Sequence, residues 1–442
     1  MTRFIRDFVL TSGIQFAQAA SAMLAGVIVA RYLGPAANGT LSVLVAIGTT
    51  AVLLGSLGVH YSGIYFLGRF KSNWDAVLSN VVGWALIGGP LTALATAIVV
   101  VTFERQLLGA IPRDLFLLFV AFVPCNFVNQ FARRAALGAN RIVMYNLPDL
   151  IGGPGLLLGT ACAILVFGRN LVPLVLLRVL LEAAAALLLL IRLLTLIRDR
   201  FRPSLPLLHQ QVRYGIRNYA GSLLWLLLLQ SDLVLCNYFL GRSKTGVYSV
   251  AVSLGIPVTM ASGVLAALVF QRASREDDRP TRIANTNRVL RVLAPLSAVG
   301  GLVLAVAAHW AVPLIYGARF APAGSALAIL VPGLVFLSLE MVLMSFFGGE
   351  GSPPIVYCAP VVGLLLNFGA NLFVIPLFGI NGASATSSVG YAAVFALVLA
   401  HYLRSTGSRI ADVLRPQAAD FSAMRQRGRP ARLVDAGPSP AR

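Results

Sequence analysis

The stretch LGPAANGTLSVLVAIG, Leu33 to Gly48, returns as LGRSKTGVYSVAVSLG, Leu240 to Gly255, displaced by 207 positions without a gap. Leu, Gly, Gly, Ser, Val, Val and Gly coincide in the two lines. Each stretch joins two long apolar runs, so the chain builds one corner twice. Other landmarks follow in order. PLTA at Pro90–Ala93 is echoed by PLSA at Pro295–Ala298, a shift of 205. Val123-Pro124 matches Val331-Pro332 at 208, and VFGRN at Val166–Asn170 matches LFGIN at Leu377–Asn381 at 211. Gly and Pro are common in such chains, so any single match is weak. Four in order at nearly constant spacing indicate a duplicated unit.

The composition sets the solvent. Of 442 residues, 58% are hydrophobic and 12% charged, and the mean hydropathy is +0.82. Soluble domains carry about 25% charged residues, so this chain belongs in lipid. Many of its apolar runs reach the roughly 20 residues that cross a hydrocarbon core. With no water to satisfy the backbone there, only helices or closed barrels can span. The runs lack the alternation of barrel strands. The expected fold is therefore all-α and polytopic.

Twelve spans are expected, at about 8–30, 41–67, 77–102, 114–132, 147–167, 171–191, 219–240, 247–270, 289–311, 326–347, 355–377 and 383–403. The first follows Arg3 and Arg6 and runs to Ala30, longer than a cleaved leader, so it reads as a retained helix. The longest connection, 198–218, is basic and proline-bearing, and reads as a linker along the membrane surface. The lobes are then 1–197 and 219–404, and 405–442 reads as a basic, disordered tail. Cys125, Cys162, Cys236 and Cys358 sit in apolar runs with no paired spacing and read as small hydrophobes.

The net charge of +19 invites a nucleic-acid reading, but its distribution answers otherwise. One side of the twelve-span topology gathers most of the arginines, including Arg69, Lys71, Arg133, Arg134, Arg141, Arg192, Arg198 to Arg217, Arg272 to Arg291, and the tail. The other side has Arg31, Arg105, Arg113, Arg169, Arg242, Lys244 and Arg319. This is the positive-inside pattern, with both termini cytoplasmic. No nucleic-acid partner is expected.

Six spans per copy is even, so both copies enter the membrane in the same sense and are related by an axis along its normal. Such lobes enclose a central cavity, and rocking exposes it to either side. The duplication points to transport.

The residues also carry a resemblance. ARYLGPAANGTLSVL (Ala30–Leu44), SDLVLCNYFLGRSKTGVYSVA (Ser231–Ala251) and NFGANLFVIPLFGINGASATS (Asn367–Ser387) resemble the Wzx-type lipid-linked oligosaccharide flippases. These form the polysaccharide transporter branch of the MOP exporter superfamily, which also holds the MATE exporters and lipid II flippases. The resemblance covers about residues 1–404. It implies two helical bundles around a central cavity. The implied cargo is an undecaprenyl-diphosphate-linked glycan, moved across the bacterial inner membrane for surface polysaccharide synthesis. Membrane lipids, a polymerase and other glycan-assembly proteins are the implied partners.

Residues needed for folding should recur in both copies, whereas those that handle a ligand need not. Ionisable groups inside spans are costly and normally face a bundle interior or a wet cavity. Asp232 stands opposite Ala25, and the resemblance matches it to an aspartate common at this place in the flippases; it reads as a cation or proton site, or as a structural hydrogen-bonding group. Arg31, opposite Tyr238, either snorkels to headgroups or meets a diphosphate at the cavity mouth. Arg178 and Glu182 share a helical face and read as a local ion pair that a substrate anion can compete for. Glu340, opposite Ala132, reads as a protonated acid, structural or proton-coupling. Gln230, Asn237, Gln15 and Gln18 either join helices or face a glycan.

No nucleotide loop, metal cluster or serine–histidine set is present, so neither an enzyme nor a cofactor is expected. The driving force stays open among a proton gradient, sodium and the membrane potential. The alternatives are a MATE-type cation exporter, a membrane-embedded glycan polymerase and a structural component of a glycan-assembly complex.

Overall fold

The structure, a computed structural model, describes residues 2–69, 73–273, 278–351 and 353–417. Lys71, Arg275 and positions 418–442 of the basic tail lie outside the described residues. The helices are α1 (Thr2–Leu33), α2 (Pro35–Ser56), α3 (Val59–Arg69), α4 (Trp74–Thr102), α5 (Glu104–Leu107), α6 (Arg113–Val120) and α7 (Phe122–Gly138). They continue with α8 (Ile142–Phe167), α9 (Val172–Leu194), α10 (Leu205–Ala273), α11 (Arg279–Tyr316), α12 (Pro322–Gly349), α13 (Ile355–Thr406) and α14 (Ile410–Leu414).

Ten candidate spans are long and apolar enough to cross a membrane among the described residues. Two are double. The chain turns at Gly241 (φ 77°, ψ 166°) inside α10 and at Gly379 (φ 63°, ψ −141°) inside α13. Each of these helices makes two crossings, and the expected twelve are recovered. Gly is what permits such a turn, because a positive φ costs a side-chain-bearing residue far more. The first copy turns in the same way at Gly34 (φ 83°, ψ −177°) and Gly168 (φ 64°, ψ −131°). Two more pairs, Gly109 with Gly317 and Asn140 with Gly351, share the positive φ. The offsets are 207, 211, 208 and 211, so backbone conformation repeats as the sequence does.

Three local differences stand out. The run at 41–67 breaks at Leu57-Gly58 into α2 and α3, because Gly58 (φ 72°) backs directly onto Gly215. The fourth crossing breaks at Ala121 between α6 and α7. The expected disorder from residue 405 does not hold for 405–417: α14 is helical and Val413 is fully buried against the end of the second lobe.

Each lobe packs a core of its own. One runs through Val52, Leu78, Val81, Phe127, Phe131 and Leu189. The other joins Leu228, Leu290, Leu343, Phe346, Val394 and Tyr402. Lipid gives helices little hydrophobic reason to associate, so close packing of small residues and buried hydrogen bonds must do it. The first six crossings use Gly153 against the α1 backbone at Gln18 and Gly138 against that of Gly63 and Ile64.

The lobes touch through the repeated corner. A Cβ on Gly39 would lie 1.8 Å from the Arg242 carbonyl oxygen and 2.7 Å from the Gly246 nitrogen. One on Gly246 would lie 1.9 Å from the Pro35 carbonyl oxygen and 2.7 Å from the Gly39 nitrogen. Gly39 and Gly246 are 207 apart, as are Pro35 and Arg242. The local two-fold axis therefore passes between these glycines, where α2 and α10 lie backbone to backbone. Asn38 Nδ2 adds bonds to the Gly246 carbonyl and Ser249 Oγ, both at 3.0 Å. This end of the molecule is the corner end; the 198–218 segment marks the opposite, linker end.

Valine at position 39 or 246 should force this contact apart, since overpacking costs about 1–3 kcal/mol. In a background with the four native cysteines replaced by Ala, Ser249→Cys should react slowly with an impermeant maleimide from the corner side. Adding Gly39→Val or Gly246→Val should raise that rate roughly tenfold. Unchanged rates would show that the glycines do not close this end.

Candidate functional site

A cavity of ≈ 730 Å³ lies between the lobes, below the corner contact. The roof is polar, with Asn38 and Ser42 on α2 and Ser249 and Ser253 on α10. Gln15 and Gln18 on α1 and Met260 on α10 line it toward the linker end. Helix α1 leans on α8 and makes only sparse contact with α10, which leaves the space between α1 and the second limb of α10. Three charged side chains reach the wall: Arg133 on α7, Asp149 on α8 and Arg178 on α9.

These charges are not equivalent. Arg133 and Asp149 form a two-pronged pair, Nη1 to Oδ1 at 3.0 Å and Nη2 to Oδ2 at 2.7 Å. The Arg133 guanidinium also lies 4.8 Å from the Tyr145 ring centre. Planar forks of this kind fix geometry as well as charge. Arg178 differs, because among the described residues it makes no hydrogen bond or ion pair. Arg178 and Glu182 do not close the salt bridge expected of them, although Glu182 still acts on the guanidinium electrostatically. Glu182 accepts instead from Asn126 Nδ2, and its carbonyl accepts from Asn129 Nδ2 at 3.1 Å, both on α7. The carboxylate is thus turned to the neighbouring helix, and the Arg178 guanidinium is left to the cavity.

Of the sequence-predicted residues, Gln15, Gln18 and Arg178 meet on this wall. The others do not. Arg31 donates to the carbonyls of Leu314 and Ile315, closing the end of α11 at the corner face; arginines commonly satisfy terminal carbonyls in this way. Asn237 Nδ2 donates to the carbonyls of Leu107 and Leu108, both at 3.1 Å, and ties α10 to the first lobe. Gln230 lines a separate apolar groove of ≈ 660 Å³ between α2, α4 and α10, with Leu91, Val99 and Phe368. Glu340 is buried inside the second lobe, and neither oxygen has a hydrogen-bond partner among the described residues.

Asp232 anchors a second polar feature, away from the cavity. Its carboxylate accepts from Tyr248 Oη, from Ser387 Oγ at 2.9 Å and from the Leu233 amide at 2.7 Å. Asn367 donates to Ser387 Oγ at 3.1 Å, Asn371 donates to Asn367 at 3.0 Å, and Thr386 donates to Asn371. The whole cluster is buried between α10 and α13. At the same offsets the first lobe carries Ala25, Leu41, Leu156, Val175 and Leu176, so the network breaks the repeat at nearly every member. Only Thr160, opposite Asn371, keeps a polar group.

The sequence reading passed over Arg133, Asp149, Asn38, Ser42 and Ser249. Asp149 carries a usable signal, since it sits inside the 147–167 run. Arg133 reads as a loop charge until α7 is seen to extend to Gly138.

A family model described as polysaccharide biosynthesis protein matches residues 28–325, about two thirds of the chain. The chain belongs to the polysaccharide biosynthesis protein family. A Haloferax volcanii relative, "Probable low-salt glycan biosynthesis flippase Agl15", is 22% identical over 182 residues. That match covers 39% of this chain and 37% of the relative. Among solved structures, the lipid II flippase MurJ in an inward closed conformation superposes with a TM-score of 0.73 at 14% identity, over 92% of this chain and 89% of that one. An inward-facing MATE multidrug transporter of the MOP superfamily gives 0.70 at 16%, over 88% and 95%. The fold is the one shared by these MOP-superfamily structures, and the chain is a multi-pass membrane protein of the polysaccharide biosynthesis protein family.

Asp149→Asn should leave the half-buried Arg133 without its counter-ion. The pair lies between exposed and buried extremes, so the loss should be about 1–3 kcal/mol, read as lower thermal stability in detergent. Replacing both residues, Arg133→Met with Asp149→Leu, should recover most of it. Equal stability of wild type and Asp149→Asn would mean the pair holds nothing.

Proposed function

We propose that the chain flips an undecaprenyl-diphosphate-linked oligosaccharide across the bacterial inner membrane by alternating access of the central cavity. The reading rests chiefly on Arg178, a cation facing the cavity with no acceptor of its own among the described residues. A diphosphate offers the hydrogen-bond acceptors it lacks and adds charge that Glu182 supplies only at a distance, and charge-assisted bonds to a guanidinium are among the strongest available. The amides and hydroxyls of Gln15, Gln18, Asn38, Ser42, Ser249 and Ser253 supply hydrogen bonds for sugar. Carrying the head through this cleft avoids the cost of moving an anion through hydrocarbon, while the prenyl tail stays in the bilayer.

A cation exporter would want an available carboxylate on the wall. The carboxylate that lines the cavity, Asp149, is already held by Arg133. That observation favours an anionic cargo over the drug-export reading.

The positive-inside pattern puts the linker end in the cytoplasm, and the cavity then faces the side where lipid-linked glycans are made. The lobes are 1–197 and 219–404, with 198–218 strapped to the first: the backbone amides of Arg198 and Asp199 donate to Asp75, and Ser204 pairs with Asn80. The unmatched network around Asp232 is the coupling site, where a proton or sodium ion exchanges with the Tyr248 and Ser387 hydroxyls. None of Asp232, Tyr248 and Ser387 lines the cargo wall, although Ser249, next to Tyr248, does, so coupling acts by changing how the second lobe packs.

In vesicles carrying a fluorescent lipid-diphosphate glycan, Arg178→Gln should slow translocation at least about tenfold, the loss of one charge-assisted contact. Asp232→Asn should abolish stimulation by an imposed ion gradient but keep downhill exchange. Wild-type rates and gradient response in both variants would contradict the assignment, and ready transport of a neutral glycolipid would contradict an anion-selective wall.

A further inference from the structure

Two smaller cavities open at the corner end, outside the closed contact and apart from the central cavity. One, ≈ 570 Å³, is lined by Gly34, Ser243, Lys244 and Arg319 among others. Its neighbour, ≈ 420 Å³, is lined by Arg31, Arg169 and Arg319. They share Leu33, Gly34 and Arg319, and the Arg319 guanidinium sits over the Gly34 corner, 3.7 Å from where a Cβ would be. Two breaks in the repeat create this arrangement. Arg169 stands opposite Ile380 at the 211 offset, and Arg319 stands opposite Ile111 at 208.

The charge balance here is one-sided. The corner end carries seven basic residues, Arg31, Arg105, Arg113, Arg169, Arg242, Lys244 and Arg319. Its described acids are Glu104 and Asp114, each beside an arginine on α5 or α6, and neither lines these cavities. Arg31 is held by backbone carbonyls, which bring no counter-charge. Among the described residues, Arg169, Lys244 and Arg319 have no hydrogen bond or ion pair. Cations are disfavoured on this side of a membrane protein, yet four converge on adjoining hollows without a counter-ion. The field is reinforced by backbone: α2 starts at Pro35, α12 at Pro322 and the second limb of α10 after Gly241, all at the first cavity. Helix starts carry partial positive charge and exposed amides.

We propose that these cavities form a phosphate site on the corner face, one that holds the phosphorylated head of a lipid in that leaflet. The site rests on charge and shape at the corner end and stands whichever cargo the central cavity carries. In the proposed cycle it lies where a head would emerge once the Gly39–Gly246 contact parts. Two lipids carry the required chemistry, a prenyl diphosphate and an anionic phospholipid, and the test separates them.

The purified full-length protein in neutral detergent is titrated with geranyl diphosphate and, separately, with phosphatidylglycerol, and bound lipid is counted by native mass spectrometry. The Lys244→Gln, Arg319→Gln double variant should weaken one or both ligands at least about tenfold, the scale of charged hydrogen bonds. Arg105→Gln with Arg113→Gln removes equal charge from the same end and should bind as wild type does. The exposed Arg169→Gln, which makes no contact the fold needs, should show a smaller loss in the same direction. Sensitivity to geranyl diphosphate alone assigns a diphosphate head; sensitivity to phosphatidylglycerol alone assigns a phospholipid. Arg178→Gln reports on the central cavity and should leave the Lys244- and Arg319-dependent binding in place, so either reading can fail without the other. Titrations that coincide for wild type and both double variants, with either ligand, would overturn the site.

Discussion

Two helices from different lobes touch backbone to backbone at Gly39 and Gly246, and no side chain fits between them. Lipid supplies no solvent pressure to hold lobes together, so a close approach of this kind, with Asn38 bonded across it, joins them at the corner end together with the Asn237 and Arg31 hydrogen bonds to backbone carbonyls of the opposite lobe. The position of the contact sets much else. It roofs the central cavity, leaves α1 and α10 apart below it, and brings three helix starts to one place. The repeated corner exists twice because it packs against itself.

Symmetry then explains where chemistry sits. The lobes agree in their turns, with Gly34 matching Gly241 and Gly168 matching Gly379, and differ in their polar groups. The first lobe supplies the charged cavity wall through Arg178 and the Arg133–Asp149 pair. The second buries a carboxylate, two asparagines and three hydroxyl-bearing residues around Asp232, opposite an almost wholly apolar set in its twin. In the proposed function one lobe meets the cargo and the other carries the buried acid. That division suits a machine in which an ion and a lipid head occupy separate places and communicate through packing.

The architecture was legible in the sequence because its signals are simple. Long apolar runs force helices, and a shift of about 207 that persists through glycines and prolines forces a duplication. Gly39 and Gly246 were visible as matched letters, but not as a contact, since a repeat does not say which surfaces meet. The site was legible only in part. Arg178, Gln15 and Gln18 stand on the cavity wall, whereas Asp232, Glu340 and Asn237 turned out to be buried elsewhere. Charge inside a span marks cost, and a helix can meet that cost by turning the group to a cavity or into its own lobe. Spacing of four suggested an Arg178–Glu182 pair; Asn126 on another helix claimed the glutamate, and no local pattern encodes that choice. Arg319 and Arg169 looked like ordinary loop charges because their convergence depends on how distant turns meet.

The central claim is that the lobes hinge about the corner contact around a cavity that senses an anionic head. It is tested most directly by the distance between spin labels at Gln15 on α1 and Met260 on α10, on opposite walls of the linker half. The account predicts a broad distribution without ligand that shifts to shorter distances as a soluble isoprenyl diphosphate is added, and no such shift with the matching alcohol. One narrow distribution, indifferent to the diphosphate, would contradict it.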